Sequence, residues 1–272
     1  MAVKQKIEIS NPSKPRIFNR HASTFKSLGW QALIVGIVLV LWQIAVWHHW
    51  VNGFLTGSPM LIWQSARSMW SAGSLQTDIE ITAIETLSGF VLGTVGGTVI
   101  GYSFWYWTGT SKVFQPFAVV FNGIPKIALA PLIIIWFGTG IQSKILLAFA
   151  STVVVALLAA YQGAMELDRD FERLLWAFGA NRRQVFLHLI LPGSMPWVVN
   201  AMRINVGLAL VGAVIGEFIA SQAGVGHAVF VAGNLFELNV VWVGVLVLSL
   251  MALVLYGGVA VVERLVIRGR PW

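Results

Sequence analysis

Long apolar runs without a charged side chain recur along the chain. An α-helix needs about 20 residues to cross the hydrocarbon layer of a membrane. Four runs of that length contain no Asp, Glu, Lys or Arg, namely residues 28–47, 86–107, 145–165 and 238–262. Two more are as long but include charges: residues 113–137 contain Lys126, and residues 195–220 contain Arg203 and Glu217. The pattern predicts an all-α polytopic membrane protein with six transmembrane helices.

Composition supports this assignment, and the distribution of charge predicts an orientation. Of the 272 residues, 57% are hydrophobic and 11% are charged, against about 25% charged in an ordinary soluble domain. The absence of cysteine excludes a disulfide framework. With the N-terminus inside, fourteen Lys and Arg residues fall on the cytoplasmic side, and only Arg67 and Lys144 fall outside. This bias is typical of a multi-pass bacterial inner-membrane protein with both termini in the cytoplasm.

The same pattern divides the chain into four parts. We expect residues 1–27 to be a basic cytoplasmic tail and residues 28–82 to hold the first span and an outer-face loop. Residues 83–263 then form a five-helix core, and residues 264–272 form a second basic cytoplasmic tail. The core includes a charged cytoplasmic segment, residues 166–192, between the fourth and fifth spans.

Two features of the core predict close packing. Gly93, Gly97 and Gly101 recur every four residues on one face of the second span, where they let another helix backbone approach. The third span is interrupted by Gly123, Pro125 and Pro131, and proline removes a backbone donor. Backbone left unpaired at membrane depth is tolerated only against protein or a water-lined cavity, so we expect this span near the centre of the assembly. Its Lys126 is either a functional intramembrane charge or an interfacial residue that snorkels.

The cytoplasmic segment 166–192 shows two short helical patterns. In the first, residues 168–178, an apolar stripe at offsets of three and four ends at Gly179; its members are Phe171, Leu174, Leu175 and Phe178. The second covers residues 181–191, with Asn181 as the N-cap and Val185, Phe186 and Leu189 on one face. We expect Pro192 to close this helix and Pro196 to begin the next span.

This apolar stripe is larger than a solvated loop requires. Exposed apolar surface of this kind marks a protein-interaction site, although the stripe could also pack back onto the ends of the spans. The sequence contains no G-x-x-x-x-G-K-[ST] phosphate loop, no H-E-x-x-H and no G-x-S-x-G motif. The chain is therefore predicted not to be an enzyme. If it moves a solute uphill, the energy has to come from a partner.

Three stretches resemble the ABC importer permeases of the nitrate/taurine class, whose members carry nitrate, bicarbonate, sulfonates, taurine and some pyrimidine or vitamin precursors. They are SGFVLG at 88–93, IPKIALAPLIIIWFGTGIQSKI at 124–145 and GANRRQVFLHLILPGSMPWVVNAMRINVGLALVGAVIGEFIAS at 179–221. The resemblance extends from about residue 55 to the C-terminus. It implies a type I importer-like fold in which segment 166–192 is the EAA-type coupling segment.

The resemblance also implies partners. They are a second copy of the chain, two cytoplasmic ABC ATPase subunits and a periplasmic solute-binding protein. ATP and Mg would be bound by the ATPase, with no cofactor in this chain. The residues implied for ATPase coupling are Glu172, Arg173, Leu174, Leu175, Phe178, Gly179, Ala180, Asn181 and Arg182. The chain has Arg173-Leu174-Leu175 where the family has Glu-Ala-Ala, and Glu85 where the family often has arginine.

The resemblance places the third and fifth spans centrally, and polar groups at membrane depth there suggest a translocation path. The resemblance implies a small solute, such as a nitrate-, sulfonate- or taurine-like anion. The residues assigned to the path are Asn122, Pro125, Lys126, Ala130, Arg203, Asn205 and Glu217. For Arg203 and Glu217, a structural role against backbone or a neighbouring helix is an equal alternative. The other functions considered are a permease of the same class for a heterocyclic vitamin or pyrimidine precursor, an ion-coupled secondary transporter, a membrane enzyme and a scaffold.

Overall fold

The computed structural model describes residues 20–267. Residues 1–19 of the predicted N-terminal tail and residues 268–272 of the predicted C-terminal tail lie outside this range. The described chain is helical, as predicted. Its helices are α1 (Arg20–Trp47), α2 (Gly53–Thr56), α3 (Pro59–Ser71), α4 (Ser74–Tyr106), α5 (Thr108–Gly123), α6 (Lys126–Phe137), α7 (Ile141–Met165), α8 (Arg169–Ala177), α9 (Arg182–Val185), α10 (Leu191–Ile219), α11 (Val225–Asn234) and α12 (Leu238–Ile267), with a π-helical turn at Phe186–Ile190.

The membrane-spanning helices match the predicted number. Within residues 20–267, five helical stretches are long and apolar enough to cross a membrane; they are Gly29–Trp47, Ser74–Tyr106, Ile141–Met165, Arg182–Ile219 and Leu238–Leu265. The predicted third span consists of α5 and α6, which meet at an angle of 97°. The bend falls at Ile124 and Pro125, between the two helices. Of the predicted interruptions, Gly123 and Pro125 lie at the bend, whereas Pro131 lies inside α6.

The chain divides into two compact units, Met1–Gly53 and Phe54–Trp272. In the first, α1 is a single apolar helix that ends in a turn, where the Trp50 amide donates to the carbonyl of Ala45 (3.0 Å). The second unit contains every other helix. Its loop before α3 is attached to α12, because Asn239 Oδ1 accepts from the Ser58 amide (3.1 Å) and Trp242 Nε1 donates to the Thr56 carbonyl (2.9 Å).

Helices α4, α7 and α10 form the core of the second unit. Small residues allow α4 and α7 to approach at backbone distance. A Cβ atom added to Gly97 would collide with the Val153 carbonyl, and one added to Gly101 would lie 2.9 Å from Ala160 Cβ. Gly93 likewise faces Thr152 on α7. The three glycines predicted for helix packing thus lie together at the α4–α7 contact.

The ends of this core show how the helices run. At one end, Tyr102 and Trp105 of α4 pack with Ala164 of α7 and Ile190 before α10. At the other end, Thr82 of α4 donates to Glu217 of α10. Helices α4 and α7 are therefore parallel to each other and antiparallel to α10. Because α4 ends where α7 also ends, the bent pair α5–α6 has to cross the full bundle to reach the start of α7, which makes it one broken span.

The prediction that Pro192 closes the second helix of segment 166–192 is wrong. The helix runs on from Arg182 to Ile219 without a break, and Pro196 lies inside it. The π-helical turn Phe186–Ile190 directly precedes the proline, and the Leu191 amide donates to the Phe186 carbonyl five residues back. A proline ring clashes with the carbonyl four residues before it, so a wider turn at this point relieves the conflict. The part of segment 166–192 that follows the Gly179 turn is consequently continuous with the fifth span.

Candidate functional site

The coupling segment, residues 166–192, begins with the amphipathic helix α8. Asp168 caps it by accepting a hydrogen bond from the Asp170 amide (2.9 Å), and Asp170 and Glu172 place negative charge in its first turn. Both features favour the helix N-terminus, where unpaired amides point outward. Arg173 forms an exposed ion pair with Asp170 (3.1 Å), and Trp176 Nε1 lies 3.4 Å from Glu172 Oε1. This helix is short and is held largely by its own local contacts.

A glycine turn joins α8 to the next helix. Gly179 has a φ of +78°, a left-handed conformation that side chains with a Cβ disfavour. Its amide donates to the Trp176 carbonyl (2.9 Å), and the Ala180 amide donates to the Leu175 carbonyl (3.0 Å). No heavy atom would come within 4 Å of a Cβ at Gly179. As the sequence predicts, the glycine ends the helix, and the conformation rather than crowding requires it.

Asn181 begins the following helix with a capping box. Its side chain accepts from the Gln184 amide (2.9 Å), and the Gln184 side chain accepts from the Asn181 amide (2.7 Å). This reciprocal pair satisfies two amides that would otherwise have no helical partner. The prediction of Asn181 as N-cap is confirmed. The turn between the two helices is thus fixed at Gly179 on one side and at Asn181 on the other.

The predicted apolar stripe of α8 is split between two environments. Phe178 is 81% exposed, Phe171 59% and Leu174 51%. Leu175 instead packs with Ala180 and the buried Val185 against the ends of α4, α7 and α10. Beside the turn lies a shallow cavity of about 290 Å³, lined by Leu175, Phe178, Gly179, Ala180, Gln184 and His188. One part of the stripe thus packs back onto the ends of the spans, and the other part remains exposed on the chain.

Arg182 differs from the other predicted coupling residues because its side chain turns towards α4. Its guanidinium donates to the Trp105 carbonyl (3.3 Å) and lies 5.6 Å from the Trp105 ring centre and 5.3 Å from that of Tyr106. Phe186 completes the contact with ring centres 5.8 Å from Trp105 and 5.5 Å from Tyr102. This contact could not be predicted from the sequence, because Trp105 and Arg182 are 77 residues apart in the chain.

The break in the third span brings together three of the predicted path residues. Lys126 Nζ donates to the carbonyls of Asn122 (2.7 Å) and Phe121 (3.4 Å), so it caps the end of α5. Asn122 and Pro125 are exposed. Ala130, one turn further along α6, is fully buried. The cation at the break thus replaces the amide donors that the α5 C-terminus lacks.

The predicted path residues of the fifth span have partners within the chain. Arg203 forms an ion pair with Glu263 of α12. Asn205 Nδ2 donates to Thr94 Oγ1 (3.0 Å) and to the Thr152 carbonyl (3.2 Å), which ties α10 to α4 and α7. Glu217 is fully buried at the far end of the bundle. The structure does not bring these three residues together with Asn122 and Lys126.

Around Glu217 lies a polar cluster that the sequence analysis missed. Its carboxylate accepts from Thr82 (2.6 Å) and from the Gly226 amide (2.6 Å). Next to it, the Gly224 amide donates to Asp78 (2.8 Å). A Cβ at either Gly224 or Gly226 would run into the Glu217 side chain. The Gly-Val-Gly at 224–226 was the available sequence signal, since glycines allow a loop to close over a buried side chain.

Comparison with known protein families identifies the family of this chain. Residues 86–268 match the family model described as the binding-protein-dependent transport system inner membrane component. The chain belongs to this family. The matched region begins within α4 and covers the rest of that helix, the broken span, α7, the coupling segment and α10. Its members are membrane components of transport systems and not a catalytic family.

Individual relatives agree over most of their length. The riboflavin transport system permease protein RibX of Chloroflexus aurantiacus is 29% identical over 258 residues, which cover 93% of this chain and 94% of the relative. The formylaminopyrimidine transport permease protein ThiX of Halalkalibacterium halodurans is 26% identical, covering 87% of this chain and 92% of its own. This permease is therefore the membrane component of a binding-protein-dependent ABC importer, which works with an ATPase and a solute-binding protein.

The fold agrees with a solved importer. The inward-facing MetNI methionine ABC transporter contains a chain that superposes with a TM-score of 0.64 at 19% identity. The superposition covers 74% of this permease and 98% of the MetNI chain. The predicted type I importer-like permease fold is therefore confirmed.

Proposed function

We propose that two copies of the permease form the membrane part of the importer and that each binds one cytoplasmic ATPase through its coupling segment. The observation that carries the proposal is the exposed apolar surface formed by Phe171, Leu174 and Phe178. These side chains project from a helix that is anchored to the core through Leu175, a member of the same apolar stripe. In this arrangement ATP and Mg are bound by the ATPase, and the chain holds no cofactor and catalyses no reaction itself.

The surface has the properties of a docking site for a protein groove. Phe178 projects furthest, and a large aromatic side chain that enters a pocket contributes strongly to an interface. Glu172, Arg173 and Asn181 supply charged and polar groups in the same segment, as expected of an interface rim. Leu175, Gly179 and Ala180 give the turn its shape. Arg182 is the exception in the proposed set, since its contacts are made within the chain.

The continuous helix explains how a docked ATPase would act on the membrane. Residues Arg182–Ile219 form one helix, so a displacement of the coupling segment moves the fifth span with it. ATP binding closes the ATPase pair and shifts the permease between two packed states by rigid-body motion. The nucleotide acts only through its different affinity for the two states.

For the path of the solute we propose the surface around the break in the third span, with Asn122, Pro125 and Lys126 exposed towards the second copy. Unpaired backbone at a helix break requires cover by protein or by a water-lined cavity, which supports a central position. Ala130, Arg203, Asn205 and Glu217 would support the path by fixing α6, α10 and α12. The N-terminus and the coupling segment would face the cytoplasm, and the binding protein would dock at the opposite end.

Co-purification tests the docking surface. The permease is expressed with the ATPase encoded beside it, and Phe178→Ala is compared with Phe230→Ala, an exposed phenylalanine of α11 near the opposite end. We expect Phe178→Ala to weaken ATPase binding by about 30-fold, the size of effect typical of an interface hot spot. Phe230→Ala should retain wild-type binding. Equal ATPase recovery with both variants would refute the assignment.

A further inference from the structure

The aromatic cluster at the cytoplasmic end of α4 joins the coupling segment to a second span. Trp105 is 5% exposed and Tyr102 8%. Phe186, in the π-helical turn, packs edge-on against Tyr102 and Tyr106, with ring centres 5.5 Å and 6.4 Å apart. Aromatic pairs in this geometry are attractive beyond the area that they bury. The coupling segment thus packs on α4 at the point where it becomes continuous with α10.

Arg182 packs on the outer side of this aromatic cluster. Its guanidinium stacks on the rings of Trp105 and Tyr106 and donates to the Trp105 carbonyl. The last carbonyls of a helix carry partial negative charge, which a cation stabilises. Arginine is the residue suited to this position because its planar group stacks and donates at the same time. Arg182 therefore caps α4 from the first turn of another helix.

A hydrogen-bond chain runs beside the aromatic contact. Tyr102 Oη and Ser194 Oγ lie 2.9 Å apart, and Ser194 donates to the Ile190 carbonyl (2.6 Å). Ile190 is the last residue of the π-helical turn, where the regular α-helical bonding is interrupted. The turn is thus held from α4 through Tyr102 and Ser194. The aromatic contact and the hydrogen-bond chain therefore connect the same two elements, α4 and the start of the fifth span.

We propose that Arg182, with Trp105, Tyr106 and Phe186, forms a joint that makes α4 and the coupling segment one rigid body. The proposal rests on the coupling segment being the docking site for the ATPase. It changes the role of Arg182 from an ATPase contact to a positioning residue. Motion of the coupling segment then reaches α4 as well as α10, and α7 follows because its backbone contacts α4 at Gly97 and Gly101.

The transport test compares Arg182→Ala with Arg183→Ala in the complete complex in vesicles. Arg183 is the adjacent residue and is equally charged and exposed. We expect Arg182→Ala to leave ATPase recovery unchanged and to lower solute uptake per ATP hydrolysed by about tenfold, because a cation–π contact and a hydrogen bond are lost together. Arg183→Ala should stay within about twofold of wild type. Arg182→Lys, which keeps the charge but not the planar stacking, should fall between the two.

A distance measurement tests the joint itself. The chain contains no cysteine, so spin labels can be attached to Ser103→Cys on α4 and Leu187→Cys in the π-helical turn. We expect the label distance to be the same with and without ATP in the otherwise wild-type complex, and to shift with ATP when Arg182→Ala is added. A nucleotide-dependent shift without Arg182→Ala would overturn the proposal. So would an unchanged distance and unchanged uptake with Arg182→Ala.

A double-mutant cycle separates the joint from a general loss of stability. Tyr106 is half-buried and stacks on Arg182, so Tyr106→Leu removes one partner of the contact. If the two residues act together, Arg182→Ala should lower uptake less in the Tyr106→Leu background than in the wild type, although its contacts with Trp105 remain. Additive losses would contradict the joint. Equal ATPase recovery with Phe178→Ala and with the wild-type permease would instead count against the docking proposal.

Discussion

The three-helix core and the coupling segment use glycine for opposite reasons. Gly97 sits in an ordinary helical conformation, but a Cβ there would collide with the backbone of α7. Gly179 has open space around it and a φ of +78°, which a Cβ disfavours. The core glycine is therefore required by its neighbours, and the coupling glycine by its own backbone. A region that packs fully within the chain differs in this way from one that leaves its surface for a partner.

Polar residues show the same contrast between the two regions. In the core, Glu217 and Asn205 are fully buried and hydrogen-bonded to groups on other helices. In the coupling segment, Arg173 and Asp170 are exposed and pair only with each other. An exposed ion pair contributes little to stability, whereas an unpaired buried group is costly. Mutations should therefore lower stability in the core and transport in the coupling segment.

The largest effect is expected for Glu217→Ala. It leaves Thr82 and the Gly226 amide without their acceptor in a site closed to water, and we expect the free energy of unfolding to fall by about 3 kcal/mol. The midpoint of unfolding in a denaturing-detergent titration measures this. Glu172→Ala, in the exposed part of α8, should change the free energy by less than about 0.5 kcal/mol. Similar losses of unfolding free energy in both variants would show that polar residues of the core and of the coupling segment do not differ in their contribution to stability.

The second largest effect on stability is expected where α4 packs on α7, and the adjacent residue Gly96 provides the control. Gly97→Ala introduces a methyl group against the Val153 carbonyl, and we expect it to destabilise the protein by about 2 kcal/mol. At Gly96 the nearest atom to an added Cβ is Phe149 Cε2 at 3.8 Å, so Gly96→Ala should stabilise the helix by about 0.5 kcal/mol. The same detergent titration compares them. Equal stability of the two variants would show that α4 and α7 are further apart than described.

The sequence alone was sufficient to predict the local structural features and the family. The apolar runs predict the spans because each reflects one helix and its lipid or protein surroundings. Asn181 and Gly179 were identified because a helix cap depends on residues close in sequence. The break at Pro125 was visible for the same reason. These features need no knowledge of which helices are neighbours.

Contacts between distant helices could not be predicted in this way. From the sequence alone, Arg182 is assigned to ATPase coupling. Its contact with Trp105 and Tyr106 of α4 becomes apparent only in the structure. Likewise, the sequence does not show that Glu263 of α12 is the ion-pair partner of Arg203. The prediction that Pro192 ends a helix was wrong because the π-helical turn that accommodates the proline has no simple residue pattern. In each case the partner or the geometry is set by tertiary packing.

The smallest effect on stability, and a distinct effect on transport, is expected at the coupling turn. Gly179→Ala forces a residue with a Cβ into the left-handed conformation, at a local cost of about 1–2 kcal/mol. Because α8 is held mainly by local contacts, the turn should rearrange while the core stays folded. We expect uptake per ATP hydrolysed to fall by about tenfold. Gly179→Asn should recover part of it, since asparagine tolerates this conformation.

The control for this prediction is Gly257→Ala in α12, where a Cβ also has open space but the backbone is helical. It should raise the stability of the helix slightly and leave uptake unchanged. Reconstituted vesicles with the binding protein and ATPase measure both quantities for the three variants. If Gly179→Ala and Gly257→Ala transport equally well, the left-handed turn is dispensable and the coupling segment does not act as a rigid element. If only Gly179→Ala is impaired, the conformation of one exposed glycine controls transport without controlling the fold.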